Sequence, residues 1–129
     1  MIGAEEVGRW LDAFAACVRD RDLAGGRALF DADAVGFGTV TETYGSRDEL
    51  VAQQWSDVWP RTEDFSFTTA DHHWLAEDLC AVAATWRSVG TDGDGRRTRT
   101  GRATLVLRRD DDRLVAVHSH FSMSPGTPA

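Results

Sequence analysis

After Pro60 the hydrophobic pattern of this chain changes its period from that of a helix to two, and it holds that period almost to the end. Phe65 and Phe67 open a run that reaches Leu75, and Leu79 to Val89 make a second. Arg99 to Arg108 and Leu114 to Ser122 make a third and a fourth. The breaks are short and rich in Gly and Asp: Glu77-Asp78, Thr91 to Gly95, and Asp110 to Asp112. Alternation of this kind sends successive side chains to opposite faces, so each run reads as a strand. Strands joined by such short turns pair antiparallel.

The first half of the chain reads differently. From Glu5 to Arg21 the apolar residues Val7, Trp10, Leu11, Phe14, Cys17 and Val18 fall on one helical stripe. Asp22 can cap a short second helix through Leu29 and Phe30, weakened by Gly25 and Gly26. Val35 to Thr39 reads as a short strand, and another ends near Tyr44. Ser46-Arg47-Asp48-Glu49 is a capping box, opening a helix with Leu50, Val51, Trp55, Val58 and Trp59 that Pro60 stops. Helices first and a run of long strands after make the class α+β with a mostly antiparallel sheet.

With 129 residues the chain has the length of one domain. The expected boundaries are 1–129, with 123–129 as a flexible tail. There are 21 acidic residues against 14 basic ones, all Arg, for a net charge of -7. That balance disfavours nucleic acid or an anionic membrane surface as a partner. No apolar run approaches the roughly 18 residues of a membrane span, and the N-terminus lacks the pattern of a signal peptide. Cys17 and Cys80 stand apart without metal or redox spacing, which fits two small core residues in a reducing cytoplasm.

Alternation also assigns faces. In the last two strands the odd row holds Ala103, Leu105, Leu107, Val115, Val117, Ser119 and Phe121. The even row holds Arg102, Thr104, Val106, Arg108, Ala116, His118, His120 and Ser122. The odd row is the more apolar and is expected to face the helices. In the strand before them Leu79, Ala81, Ala83, Thr85 and Arg87 are read as inward, leaving space under the helices. Its other row, Cys80, Val82, Ala84 and Trp86, is apolar too, so the outer face is expected to be covered by a second copy of the chain.

The helix start TYGSRDEL, the Trp-rich helix ending in Trp59, and TGRATLVLRR…LVAVHSHFS resemble the SnoaL-like group of the nuclear-transport-factor-two-like superfamily. The closing HSHFS is similar to the association domain of calmodulin-dependent kinase II. The resemblance implies a cone-shaped α+β barrel, a strongly curved sheet wrapped around three N-terminal helices with a pocket inside. Relatives of this kind include isomerases, cyclases, dehydratases, binding proteins and assembly modules.

On the inner row, Arg87 at the mouth of an apolar cone could take a ligand carboxylate, or stand solvated at a strand end. It resembles a pocket arginine of the kinase association domain. Two further arginines of that pocket correspond here to Leu105 and Phe121. Trp59 matches a pocket tryptophan of the same domain, and Trp55 lies four residues away on the same helix face. Trp at helical spacing is also ordinary core. Tyr44 could place its hydroxyl in the cavity, and Ser119 is the one polar inward residue of the last strand. Asp71 and His73 share a row and form the best acid/base pair if that row faces inward; as surface residues they would do nothing.

His118 and His120 lie on one face of the last strand. A metal site would need a third ligand, which the sequence does not supply, so none is expected. Acid/base work would need the inner face. The reading that fits their row is a dimer interface shared with Trp86, Arg102 and Thr104, and the resemblance implies the same. Arg96, Arg97, Arg99 and Arg102 follow a Gly/Asp turn and read as a solvated hairpin tip. No cofactor motif is present. The chain thus reads as a homodimer or larger homo-oligomer whose pocket takes a largely apolar small molecule. If it is an enzyme, proton transfer of isomerase, cyclase or dehydratase type is the class. The alternative is a homo-oligomerisation module without chemistry.

Overall fold

The computed structural model describes residues 1–126. Helix α1 (Ala4–Asp20) buries Val7, Trp10, Leu11, Phe14 and Val18, the stripe read from the sequence. It stops at Arg21, a left-handed residue (φ 53°) whose amide closes on the last carbonyls of the helix. The Arg21 guanidinium then donates to the Trp59 and Pro60 carbonyls at 3.2 and 3.3 Å, tying the end of α1 to a later helical segment. Helix α2 (Leu23–Ala28) starts at Asp22, whose carboxylate accepts from the Gly25 amide at 2.9 Å.

The third helical segment begins at the predicted cap, where the Glu49 amide donates to Ser46 Oγ at 3.2 Å. The Glu49 carboxylate reaches one residue further back than a capping box requires, accepting from the Gly45 amide at 2.9 Å. Instead of one regular helix the segment is α3 (Arg47–Leu50), a π-helical turn (Val51–Trp55), α4 (Ser56–Val58) and a 3-10 turn (Trp59–Arg61). The wider π turn carries an extra residue, a distortion that recurs at functional sites.

Five strands follow or interleave: β1 (Phe30–Phe37), β2 (Thr62–Ala76), β3 (Leu79–Asp92), β4 (Gly95–Asp110) and β5 (Arg113–Met123). They form one curved sheet in the order β1-β5-β4-β3-β2, antiparallel except for the parallel pair β1–β5. Its two edges, β1 and β2, do not meet, so the sheet is open and not a barrel. The first strand begins at Phe30, ahead of the expected Val35, because Phe30 and Ala34 already pack inward. The strand expected to end near Tyr44 is a single bridge between Gly36 and Tyr44. Ser124, at the start of the expected tail, donates from its amide to the Thr100 carbonyl at 3.0 Å; residues 127–129 lie outside the described residues.

One face assignment is reversed. In β3 the buried row is Cys80, Val82, Ala84, Trp86 and Ser88, whereas Ala83 and Arg87 are exposed. Register explains it: Val82 pairs with Leu105, Cys80 with Leu107 and Trp86 with Gly101, and paired residues share a face. Trp86 fits because Gly101 opposite it has no side chain. In β5 the register slips by one residue between the pairs Leu107–Ala116 and Val106–His118. That bulge puts Ala116, expected outside, on the inner side, and returns Ser119 and Phe121 to it afterwards.

The core is aromatic. The Phe14 ring lies 5.5–6.3 Å from those of Trp10, Phe30, Trp55, Trp59, Phe65 and Phe121. Cys17 and Cys80 are free thiols, and Cys80 is fully buried. Among the described residues no helix is long and apolar enough to cross a membrane.

Candidate functional site

Between the helices and the inner sheet face lies a cavity of about 60 Å³. Its apolar wall is built by Phe14 of α1, Trp55 and Trp59 of the third helical segment, Phe65 of β2, Trp86 of β3 and Phe121 of β5. Trp55 and Trp59 stack with centroids 4.5 Å apart and planes 18° apart, so the helical spacing read from the sequence does bring them together. Flat apolar surfaces of this kind are the usual lining of a small-molecule site.

The polar groups on the wall are few and held in place. Gln54 sits in the π turn and is buried. Its Oε1 accepts from the Val40 and Thr41 amides at 2.9 and 3.0 Å, and its Nε2 donates to Thr39 Oγ1 at 2.8 Å. One side chain therefore pins the loop after β1 over the cavity. Ser119 is held by Tyr44: the two hydroxyls are 2.6 Å apart, and the Ser119 amide donates to Tyr44 Oη at 3.1 Å. Burial raises the pKa of the Tyr44 phenol, with the Ser119 hydrogen bonds opposing it. Ser119 lines the cavity, while Tyr44 stands behind it.

The charged group on the wall is Arg99 of β4. It is half-buried and sits opposite Ser88, another lining residue. Its aliphatic stem lies across Gly90, where a Cβ would come within 2.6 Å of Arg99 Cδ. Burial, and after it the charge of Arg61, lowers the Arg99 pKa. A guanidinium stays protonated all the same.

Of the residues expected to form the pocket, Trp55, Trp59, Ser119 and Phe121 line the cavity and Tyr44 supports it. Leu105 is fully buried on the inner face but lies in the core beside the cavity wall. Arg87 does not belong there: the reversed row of β3 puts it on the outer face, exposed. Asp71 and His73 pair with Ala83 and Ala81 of β3, so they too stand exposed on the outer face, away from the cavity. Trp86, expected at a dimer interface, is 4% exposed and forms part of the cavity wall.

Arg102, Thr104, His118 and His120 do share the outer face, with Thr104 opposite His120. Phe37 of β1 sets its ring edge-on to His120, with centroids 5.0 Å apart, and to His118 at 6.3 Å. Burial, and after it the neighbouring His120, lowers the His118 pKa. Among the described residues no three His, Cys, Asp or Glu side chains come together in a way that could hold a metal ion.

Arg99 was read as part of a solvated hairpin tip, and that holds only for its neighbours. Arg96 pairs with Glu63 at 2.6 Å, and Arg97 lies 4.0 Å from Asp92. The signal for Arg99 was its odd position, in the row of Gly101, Ala103 and Leu105. Gln54 carried one as well, falling between Leu50 and Val58 at helical spacing.

Solved structures with this architecture are numerous. A Xanthomonas campestris protein, named as a candidate calcium/calmodulin-dependent protein kinase II association domain, superposes with a TM-score of 0.85 at 20% identity, covering 98% of this chain and 91% of its own. A nuclear-transport-factor-two-like superfamily protein from Salmonella enterica gives 0.80 at 13% identity, over 96% of this chain and 92% of its own. A candidate scytalone dehydratase from Novosphingobium aromaticivorans gives 0.79 at 10% identity, over 93% and 83%. At these identities the likeness is one of fold. No curated protein matches the sequence. A family model describing a SnoaL-like domain matches residues 7–125. With nearly its whole length matched and the open curved sheet of nuclear-transport-factor-two-like proteins, the chain belongs to the SnoaL-like family.

Proposed function

We propose that this chain is a small-molecule-binding protein that holds a largely apolar ligand between its helices and its sheet. The carrying observation is the cavity itself, walled by stacked Trp55 and Trp59, Phe14, Trp86 and Phe121, with a few fixed polar groups. Proton-transfer chemistry of isomerase, cyclase or dehydratase type would need an acid or base on that wall. Asp71 and His73 stand on the other face, and no carboxylate or imidazole lines the cavity among the described residues. Binding without turnover is therefore the favoured reading. A thermal-shift screen of small apolar compounds tests it. A ligand at a hundred times its Kd should add about 2.7 kcal/mol of stability. The shift should vanish in Ser88→Leu, which fills the cavity. A screen in which no compound raises the melting temperature would remove the proposal.

The second reading, a homo-oligomerisation module, rests on the outer face and is compatible with the first. Val35 and Phe37 are 47% and 43% exposed beside His118 and His120, an apolar and aromatic patch. The similar Xanthomonas protein is named as an association domain. Sedimentation equilibrium should give a dimer or larger species, shifted toward monomer by His120→Glu. An unmutated chain that sediments as a monomer would sink it.

A further inference from the structure

We propose that Arg99 anchors the carboxylate of the bound ligand, so that the cavity takes a small carboxylic acid with an apolar chain or a single ring. The inference rests on the pocket reading and adds the ligand's charge and class. Most arginines near Arg99 or on the same strand have a carboxylate of their own: Arg61 with Asp57 at 2.9 Å, Arg96 with Glu63 at 2.6 Å, Arg108 with Asp31 at 2.7 Å. Among the described residues Arg99 has none, and its Nη2 meets only Met123 Sδ, at 3.6 Å. A half-buried guanidinium has given up part of its hydration, and a sulfur returns little of it. Among the described residues the cavity wall offers no acid to compensate. A ligand carboxylate would supply the missing charge, and its two oxygens match the planar fork of the guanidinium.

The rest of the wall defines the ligand's body. It is mostly apolar, which suits a chain or a ring and not a second charge. Size narrows it further: about 60 Å³ is well short of the ~150 Å³ that encloses benzene. A chain or a ring therefore enters only partway as the cavity stands, with its acid group left at Arg99. The net charge of -7 would repel such an acid at long range, so the attraction is local, from Arg99.

Calorimetric titration with matched probes tests this. Benzoate and hexanoate are compared with benzamide and hexanamide, which keep the shape and lose the charge. The acids should bind roughly tenfold to a hundredfold more tightly than the amides. Arg99→Gln should bring the acids down to the level of the amides. Arg99→Lys, which keeps the charge without the fork, should fall between. Equal binding of acid and amide to the unmutated protein overturns the proposal and leaves the pocket standing. So does an acid preference that survives in Arg99→Gln. If neither acid nor amide binds, the pocket reading fails and this inference with it.

Discussion

Phe14→Ala is expected to lower stability by about 3–5 kcal/mol, the range for truncating a fully packed Phe. The ring is 2% exposed and lies at van der Waals distance from aromatic residues of α1, β1, the third helical segment, β2 and β5. It is the point where the two halves of the chain meet, so its loss leaves a hole that no single neighbour can close. Urea unfolding should show a lower midpoint at unchanged slope, and the melting temperature should fall by roughly 10–15 °C. Because Phe14 also lines the cavity, the hole should join it and admit a ring. Saturating benzene should then recover part of the lost stability in the variant while leaving the unmutated protein nearly unmoved. A loss under about 1 kcal/mol would mean that the surrounding rings collapse into the space.

Gly101→Ala is expected to be nearly as damaging, from the opposite cause. A methyl group there would overlap the Trp86 ring on one side and the Ser122 carbonyl oxygen on the other. Trp86 is walled in by the core, and the carbonyl belongs to β5, so neither can give way without moving a strand. Overpacking usually costs 1–3 kcal/mol, and with a backbone obstacle about 3 kcal/mol or more is expected. Gly93→Ala, in the β3–β4 turn with open space around it, should stay within about 0.5 kcal/mol and serves as the control. Equal melting temperatures for the two variants would show that the central strands are far more pliant than this packing implies.

These two positions also show where the sequence was readable. The helices and long strands could be placed because their residues repeat at 3.6 or at two over many turns, as in Val7 to Val18 or Ala103 to Leu107. The inner row of β4 was readable because Leu105 and Leu107 alternate with Thr104 and Arg108. In β3 both rows are apolar, so a shift of one residue costs nothing in the pattern. That one ambiguity sent Arg87 to the wrong face, took Trp86 from the right one, and left the face of the Asp71 and His73 row open. The size of Trp86 against the missing side chain of Gly101 would have settled it, but only once their pairing was known. The bulge in β5 and the π turn at Val51–Trp55 are set by tertiary packing and leave no periodic mark. The aromatic half of the site was legible because Trp55 and Trp59 are local neighbours on a helix. The charged half was not, because Arg99 stands in a run of arginines whose other members face solvent.

The parallel pairing of β1 with β5 has a consequence for the order of events during synthesis. The earliest strand to leave the ribosome has as its partner the latest, with about eighty residues between Val35 and His118. Until that partner emerges, β1 has only the bridge from Gly36 to Tyr44 beside it, and Phe30 has only the helices against it. Ser119 and Phe121, which complete the wall of the cavity, arrive with the same final segment. The wall of the cavity is completed in one late step, together with the β1–β5 seam of the fold.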